Sequence, residues 1–331
     1  EGALRLKKLP DLCKKHEMPA IAVTDSNNLF SALEFSVSAS NAGVQPIIGC
    51  QVDLRFVDPA PGERPQPPAP LVLLAQSETG YEHLMKLNSC LYLRQGSELP
   101  YVTLEELATN AGDVICLSGG PDGPVGRLLR QGQRPAAEEL MQRLKAIFAD
   151  RLYVELQRHP GEDGQPEAEK LSERGHVEMA YAMDLPLVAT NDVYFPASKM
   201  YEAHDALICI SEGAYVDQQE GRRRLTPQHY FKSPAEMATL FADLPEAIEN
   251  TVEIAKRCAF KTYNRDPILP KFADDEVVEL RRQANEGLQA RLAVIPHAVT
   301  VEEYQARLDF ELNIIEGMGF PGYFLIVADF I

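Results

Sequence analysis

Length, composition and charge exclude several classes of protein. The chain has 331 residues, of which 45% are apolar and 24% charged, as in folded globular proteins and unlike disordered chains. At about 150 residues per domain, this length predicts roughly two domains. The 32 basic and 49 acidic residues give a formal charge of −17, which repels phosphates over most of the surface. We expect any contact with nucleic acid to be local, or to lie elsewhere in a larger protein.

Cysteine spacing and hydropathy indicate the compartment. The six cysteines are far apart and form no C-x-x-C pair, which favours buried free thiols in a reducing cytosol over disulfides. No stretch approaches the roughly 18 apolar residues of a membrane span, and no basic segment followed by an apolar one opens the chain. These features predict a cytoplasmic protein without membrane contact.

Both ends of the chain are unusual for a complete protein. It begins without Met in a segment of helical spacing, and it ends in residues 323–331, of which eight are apolar. Soluble proteins normally cover such an apolar run. We therefore expect a fragment of a longer protein.

Short runs rich in Val and Ile alternate with longer segments of helical period, which is typical of βα units around a parallel sheet. An open sheet and a distorted barrel both fit this pattern. The predicted strands lie at residues 20–24, 46–56, 71–76, 114–118, 152–156 and 187–190. The predicted helices lie at residues 3–16, 32–42, 80–94, 104–108, 125–130, 136–148, 167–182 and 199–210.

Two stretches mark the organisation of the chain. Residues 57–70 hold six prolines and predict an exposed polyproline-like loop. After about residue 210 the strand pattern stops and helix starts appear, with capping boxes predicted at residues 233–236 and 300–303 and a near repeat at 243–246. We predict a βα domain at residues 1–215 and a helical segment at 216–331.

The carboxyl ends of parallel strands are the usual place for a functional site in such domains. Asp25 and Asp192 follow two predicted strands, and two carboxylates there can share a hard metal ion. The alternative is that each caps or turns the chain, since residues 24–28 also have good turn chemistry. Without further ligands the capping interpretation is favoured.

Other chemistry has little support in the sequence. The seven histidines form no cluster of metal-ligand spacing, and we expect His159 and His204 to have surface or hydrogen-bonded core roles. The motifs of P-loops, dinucleotide folds and serine hydrolases are absent. Residues 222–224, three consecutive arginines, are the only concentrated positive charge that we identify, and a solvated loop is favoured over a phosphate contact.

Six motifs nevertheless carry a resemblance to a known family. They are T-D at 24–25, I-I-G-C at 47–50, Y-V-E-L-Q-R-H at 153–159, A-T-N-D-V at 189–193, L-F-A-D-L-P-E-A-I-E-N-T at 240–251 and M-G-F-P-G-Y-F-L-I-V at 318–327. With them, the chain resembles the alpha subunits of bacterial DNA polymerase III over essentially all its length. It is similar to their N-terminal PHP (polymerase and histidinol phosphatase) domain followed by the start of the polymerase region.

This resemblance implies a fold and a set of metal positions. It implies an α/β fold, a PHP-type distorted (βα)7 barrel that lacks its first strand here, followed by a mainly helical segment that leads into the polymerase palm and thumb region. Family members with a working PHP site hold metal ions in a histidine-rich cluster. Only Asp25 and Asp192 remain of that cluster in this chain. The other matching positions are substituted, by Ser26, Gln51, Pro70, Gly120 and Tyr194.

The resemblance also implies function. The whole protein is expected to be a DNA-directed DNA polymerase that uses Mg²⁺, with its catalytic residues downstream of this chain, so that the chain itself has no catalytic, cofactor-binding or metal-binding residue. Its PHP domain is expected to act as a metal-free scaffold and to bind the proofreading exonuclease. Other replicase subunits, the sliding clamp and primer-template DNA are expected partners of the whole protein. The alternatives are a metal-dependent PHP phosphoesterase or proofreading nuclease, and the error-prone paralogue of the same family.

Overall fold

A computed structural model of the chain describes residues 2–57, 66–94, 99–161, 164–218, 220–266 and 268–331. It divides into two compact units, Glu1–Tyr263 and Asn264–Ile331. The first unit is a mixed α/β domain and the second is helical. The predicted order, an α/β domain followed by a mainly helical segment, is confirmed.

The first unit is built on one seven-stranded sheet that curls into a half-barrel. The sheet holds β1 (Ala20–Val23), β2 (Gln45–Arg55), β3 (Ala69–Ala75), β4 (Val102–Thr103), β5 (Val114–Leu117), β6 (Leu152–Gln157) and β7 (Leu187–Thr190). Their spatial order is β1-β2-β3-β5-β6-β7, and β4 pairs with β2. All six predicted strands are present. The additional strand, β4, has two residues and is too short to show a period in the sequence.

Strand β3 departs from the expected parallel sheet. It is antiparallel to both β2 and β5, whereas β1–β2, β2–β4, β5–β6 and β6–β7 are parallel pairs. A parallel connection normally uses a helical crossover. The connection between β2 and β3, residues 56–68, contains five prolines and is unsuited to a helix. Of this Pro-rich segment, residues 58–65 lie outside the described residues.

Ten α-helices of the first unit follow the sequence pattern closely. They are α1 (Leu9–Lys15), α2 (Ala32–Asn41), α3 (Glu78–Leu93), α4 (Leu104–Thr109), α5 (Pro124–Arg130), α6 (Arg134–Phe148), α7 (Glu167–Ala182), α8 (Tyr201–Glu212), α9 (Pro234–Leu240) and α10 (Pro245–Arg257). The predicted helix at residues 3–16 is split into a 3₁₀ turn, Leu6–Lys8, and α1. Pro10 lies in the first turn of α1, where its missing N–H needs no partner.

The core forms where the apolar faces of these helices meet the sheet. Helix α6, for example, buries Ala137, Leu140, Met141, Leu144 and Phe148, which recur at helical spacing. They belong to the same buried cluster as the inward side chains of β2, β3, β5 and β6. The strand ends are therefore held on a closely packed support.

Helix α10 belongs to this packing as well. The side-chain amide of Asn250 donates to the carbonyl oxygen of Leu187 on β7 at 2.8 Å. Ile254 and Cys258 are buried in one cluster with Val188. Because α10 covers β7 in this way, the compact unit continues to Tyr263. The predicted domain boundary after residue 215 lies inside this unit and stays a prediction.

The second unit contains three helices, α11 (Glu276–Leu292), α12 (Val301–Gly317) and α13 (Pro321–Phe330). Each contributes one residue to a small buried cluster, namely Leu280, Leu312 and Leu325. No helix among the described residues is both long and apolar enough to cross a bilayer.

A helix begins at each of the three predicted places, and a capping box forms at two of them. Both full capping boxes form, and their members are Ser233 with Glu236 and Thr300 with Glu303. The near repeat at residues 243–246 does not cap α10, whose N-cap is Leu244 without a side-chain hydrogen bond. Asp243 instead pairs with Arg158 at 2.6 Å, because an arginine from another segment competes for its carboxylate.

Candidate functional site

The first group of predicted positions lies just after β1. The backbone N–H of Gln51 donates to the carbonyl oxygen of Asp25 at 3.1 Å, and its side-chain amide donates to Oγ of Ser26 at 3.2 Å. The carboxylate of Asp25 accepts a hydrogen bond from the hydroxyl of Ser31, the residue that precedes α2. Asp25 thus holds the turn into α2, which agrees with the capping interpretation.

The second group joins the start of β3 to the exit of β5. Gly119 and Gly120 both have positive φ, +85° and +56°. A Cβ atom on Gly119 would lie 2.0 Å from the carbonyl oxygen of Pro70, and one on Gly120 would lie 2.9 Å from Cδ of Gln157. The backbone here approaches its neighbours too closely for any side chain at residue 119. A side chain at residue 120 requires Gln157 to move.

The third group follows β7. The carbonyl oxygen of Asp192 accepts a hydrogen bond from Nδ1 of His229 at 2.9 Å. The backbone N–H of Tyr194 donates to the carbonyl oxygen of His229 at 2.9 Å, and the Tyr194 ring lies against the rings of His229 and His204. Tyr194 therefore packs among aromatic rings.

Hydrogen bonds join Asp25 and Ser26 to Gln51 in the first group, and Asp192 and Tyr194 to His229 in the third. In the described ranges no group of three or more His, Cys, Asp or Glu side chains is arranged to hold a metal ion. Two cavities, of about 510 and 350 Å³, open on the surface near α5 and α9. No predicted site residue lines either cavity.

A buried carboxylate that sequence reasoning missed links the ends of three strands. Glu155 on β6 is 2% exposed and accepts hydrogen bonds from the N–H of Gly119 at 3.0 Å, the hydroxyl of Thr190 at 2.6 Å and the amide of Gln157 at 3.3 Å. Burial raises the pKa of Glu155, and these three donors oppose the rise. All three are uncharged, so Glu155 is a structural hydrogen-bond acceptor that fixes β5, β6 and β7.

A larger buried cluster lies beyond the ends of β6 and β7, and we call it the His159 cluster. It consists of His159, Glu169, Asn191, His229 and Lys232. The ring nitrogen Nδ1 of His159 lies 2.8 Å from Oε1 of Glu169, and its backbone N–H donates to Oε2 at 2.9 Å. The ring of His159 stacks on that of His229, with centroids 3.8 Å apart.

Lys232 brings a positive charge to this cluster. It is 6% exposed, and its ammonium donates to Oδ1 of Asn191 at 3.1 Å and to the carbonyl oxygen of Gln228. Burial lowers the pKa of Lys232 to about 8, and the carboxylates of Glu236 and Glu169 oppose this change. Burial raises the pKa of Glu169 to about 7. The carboxylates of Glu236 and Glu169 therefore favour the charged form of Lys232, and Glu236 has the larger effect.

The His159 cluster can position chain segments, and of its members Lys232 lines the cavity of about 350 Å³ near α9. His159 is 1% exposed, and its Nε2 has no hydrogen-bond partner among the described residues. Burial lowers the pKa values of His159 and His229, so that both rings are neutral at pH 7. The expectation of a hydrogen-bonded core role for His159 agrees with these contacts. A signal for the cluster was available in the sequence, since Glu169 occupies the inward face of α7 together with Ser172 and His176.

The three consecutive arginines are not a solvated loop throughout. The guanidinium of Arg222 binds both carboxylate oxygens of Asp205, at 2.7 and 2.8 Å, and the two side chains are 1% and 6% exposed. Arg223 lies 3.4 Å from Glu212, a half-exposed pair. The solvated-loop interpretation is wrong for Arg222, because α8 provides an acidic partner that the local sequence does not show.

Two family profiles match the chain. One is described as PHP domain and covers residues 1–159, and the other is described as bacterial DNA polymerase III alpha NTPase domain and covers residues 278–331. Proteins named DNA polymerase III subunit alpha match the whole chain. The identity is 50% for Caulobacter vibrioides, 39% for Rickettsia bellii and 38% for Pseudomonas aeruginosa. The chain spans 29%, 28% and 28% of the length of these relatives.

Proposed function

We infer the function from the similarity to known proteins. The chain carries a PHP domain and the first part of a bacterial DNA polymerase III alpha region. Over its whole length it matches the N-terminal 29% of a DNA polymerase III alpha subunit. We propose that the protein is the alpha subunit of a replicative DNA polymerase. The observation that carries this proposal is 50% identity across the whole chain. We propose the cytoplasm as its location, where bacterial chromosome replication takes place.

In this proposal the whole protein synthesises DNA on a primed template with Mg²⁺, and its polymerase active site lies outside this chain. The test is primer extension by the full-length product of the gene. We expect incorporation of nucleotides that depends on Mg²⁺ and on the template. A full-length protein that is folded but does not extend a primer would contradict the proposal.

A depletion experiment distinguishes the replicative subunit from an error-prone paralogue. We expect chromosome replication to stop when the protein is depleted, because a replicative polymerase has no substitute in its host. Uninterrupted replication after depletion would favour the paralogue. The rate of DNA synthesis, measured by incorporation of a labelled nucleoside, reports the result.

The PHP residues of this chain do not fit the metal ions that active PHP domains hold. Gly120 offers no side-chain donor and Pro70 offers none either, whereas histidine and carboxylate are the ligands that such ions prefer. The hydroxyl of Ser26 already accepts a hydrogen bond from Gln51. We therefore derive no step through a metal ion and assign this domain no hydrolytic activity.

Elemental analysis tests this assignment. After incubation with Mn²⁺ or Zn²⁺ and removal of free metal, we expect far less than one ion per chain. A version extended at its N-terminus is the companion sample, because the resemblance implies a first PHP strand that this chain lacks. Close to one tightly held ion per chain in either sample would contradict a metal-free domain.

We propose that the PHP domain serves as a scaffold and binds the proofreading exonuclease. Such a role needs a rigid surface rather than metal ligands. Two observations support this proposal. The half-barrel is closely packed, and its buried polar groups, such as Glu155 and Glu169, accept hydrogen bonds from within the domain. The Pro-rich segment, residues 57–70, is a candidate contact, although residues 58–65 lie outside the described residues. The sliding clamp, other replicase subunits and primer-template DNA are proposed partners of the whole protein.

A pull-down tests the docking proposal. We expect the 331-residue chain to retain the exonuclease at about 10 μM of each protein, a concentration at which a micromolar complex is detectable. A variant in which residues 58–65 are replaced by a Gly-Ser segment of equal length tests the candidate loop. Loss of the complex in this variant would assign the contact to the loop. No complex with the unaltered chain would indicate that the domain only supports the polymerase.

A further inference from the structure

The N-terminal segment carries a concentration of positive charge that contrasts with the rest of the chain. Between residues 5 and 17 there are five basic side chains, and all are exposed. We call them the basic patch: Arg5, Lys7, Lys8, Lys14 and Lys15. Two acidic residues, Asp11 and Glu17, lie among them, which leaves three net positive charges on a chain whose total is −17. All five basic side chains of this patch are exposed, whereas Arg222 of the three consecutive arginines is buried against Asp205.

The basic side chains of the patch form almost no ion pairs with acidic side chains of the same chain. Lys7 and Glu34 are 4.0 Å apart, and both side chains are largely exposed, so this pair is weak. In the part of the chain that the structure describes, the other four basic side chains form no ion pair. Arg222, by comparison, is buried against Asp205. The charges of the patch are therefore available to an external anion.

The fold holds these side chains on one support. Helix α1 buries Leu9 and Cys13 in a cluster with Phe35, so its opposite surface faces solvent. Lys14 and Lys15 lie in the last turn of α1, and Lys8 directly precedes its first turn. Lys7 lies in the 3₁₀ turn Leu6–Lys8, and Arg5 directly precedes that turn. The basic side chains therefore lie on two consecutive helical segments of one structured support.

The residue types in the patch indicate which class of molecule it can bind. Protein interfaces are depleted in lysine and depend on buried aromatic or apolar anchors. Within residues 5–17 every exposed side chain is charged. Exposed lysines without anchors are instead suited to the phosphates of a nucleic-acid backbone, which they contact as point charges without reading the sequence.

We propose that the basic patch binds the phosphate backbone of DNA, independently of sequence. This inference rests on the proposed function, which places the protein on primed DNA, and it assigns that contact to a defined surface of the PHP domain. The affinity is weak, because the remaining surface repels phosphates, and the binding depends strongly on salt. The patch would act together with stronger DNA contacts elsewhere in the whole protein.

Fluorescence anisotropy with labelled duplex and single-stranded DNA tests the proposal on the 331-residue chain. At about 20 mM salt we expect measurable binding that weakens steeply as salt rises, with a slope near 0.9 for each phosphate contact. The variant Lys14→Glu/Lys15→Glu should bind at least fivefold more weakly and show a shallower salt slope. Polymerase activity of the full-length protein is a separate measurement, so failure here leaves the proposed function standing.

The matched control is Lys86→Glu/Lys170→Glu. These two lysines are exposed on α3 and α7, outside the patch, and the variant has the same net charge as the first one. We expect its affinity to stay within twofold of the unaltered chain. Equal losses in the two variants, or no salt-dependent binding by the unaltered chain, would overturn the proposal, as would binding to anionic vesicles without binding to DNA.

A second pair of variants separates binding from folding. Lysines in the last turn of α1 also interact favourably with the helix dipole, so charge reversal there can destabilise the helix. Lys14→Gln/Lys15→Gln removes charge without reversing it, and Lys86→Gln/Lys170→Gln is its control. The proposal requires weaker DNA binding in the first pair at an unchanged thermal midpoint. Unchanged binding would overturn it.

Discussion

The imidazole rings of His159 and His229 stack with centroids 3.8 Å apart and planes 10° from parallel. Two positively charged rings repel each other at such a distance, so the arrangement requires at least one neutral ring. Burial lowers the pKa of both rings, and the nearby ammonium of Lys232 lowers that of His159 further. The stack thus joins the end of β6 to the segment after β7 through two uncharged rings, and burial raises the pKa of the neighbouring Glu169 to about 7 and lowers that of Lys232 to about 8.

The coupling between Glu169 and Lys232 is the first prediction. Glu169→Gln removes the carboxylate from the cluster, and Lys232→Met removes the ammonium. The two side chains form no ion pair among the described residues, but the carboxylate of Glu169 favours the charged form of Lys232. We therefore expect each variant to be destabilised, and the double variant to lose less than the sum of the two losses by about 0.5 kcal/mol or more. Urea unfolding at pH 7.5 gives these values. Glu167→Gln, an exposed change on the same helix, is the control, and additive losses would contradict the coupling.

The second prediction concerns acid sensitivity. His176 on α7 is 1% exposed, and burial lowers its pKa to about 4. Because an unfolded histidine has a pKa of about 6.5, unfolding takes up a proton between these two values, and the free energy of unfolding falls as the pH falls. Near pH 5, the unfolding free energy of His176→Leu should therefore change less steeply with pH than that of the unaltered chain, by about 1.4 kcal/mol per pH unit. Urea unfolding at several pH values measures it.

The unfolding free energies of the unaltered chain and of His176→Leu, compared at pH 7.5, separate the effect of packing from that of proton uptake. At that pH the histidine is neutral in both states, so any difference reports packing alone. The Nε2 atom of His176 has no hydrogen-bond partner among the described residues, which makes an apolar replacement tolerable. A variant whose unfolding free energy depends on pH as steeply as that of the unaltered chain would show that other groups control the acid response.

The sequence was informative where structure depends on local pattern. Strands β5 and β7 were located to within one residue because runs of Val and Ile are flanked by turn residues. The capping box at Ser233 and Glu236 was predictable because both members lie within one turn. Resemblance supplied the family and the substituted PHP positions, which periodicity cannot provide.

The contacts that define the candidate site depend on residues far apart in sequence. His159 and His229, whose rings stack, are separated by two helices and a strand, and no spacing rule connects them. The same applies to Arg222 and Asp205, whose pairing across 17 residues changes an apparent surface loop into a buried ion pair. Patterns of single positions show that Glu169 faces inward, but they do not show which side chains surround it.

The third prediction concerns the exit of β5. Gly120→Ala places a side chain at φ +56° and 2.9 Å from Cδ of Gln157. Gly132→Ala has a similar φ of +69° but nothing within 4 Å. We expect about 1 kcal/mol of destabilisation at residue 132 from the backbone conformation, and an additional loss at residue 120 from displacement of Gln157. Thermal unfolding compares the two, and equal losses would show that Gln157 moves without cost.

The same comparison bears on the metal-free assignment. Gly120 is one of the substituted PHP positions, and the close approach of Gln157 opposes any side chain there. We therefore expect that introducing metal ligands by Ser26→His, Gln51→Glu and Tyr194→His together does not create metal binding, since Gly120 and Pro70 still lack donor atoms. Elemental analysis of this triple variant after incubation with Mn²⁺ checks the expectation. One bound ion per chain would show that the three introduced ligands are enough.

The last prediction compares two neighbouring arginines. Arg222 is held by both oxygens of Asp205 and is 1% exposed, whereas Arg223 and Glu212 form a half-exposed pair at 3.4 Å. Arg222→Met removes the guanidinium that binds both oxygens of the buried Asp205, so it should lower the urea midpoint more than Arg223→Met, which breaks a half-exposed pair. Arg222 also lowers the pKa of Asp205, so this pair stabilises the folded state above the ordinary aspartate pKa and loses that effect as the pH falls through the lowered value. The difference between the two variants should therefore be largest near neutral pH and shrink on acidification. Equal midpoints for the two variants at pH 7.5 would show that the buried pair contributes no more to stability than the exposed one.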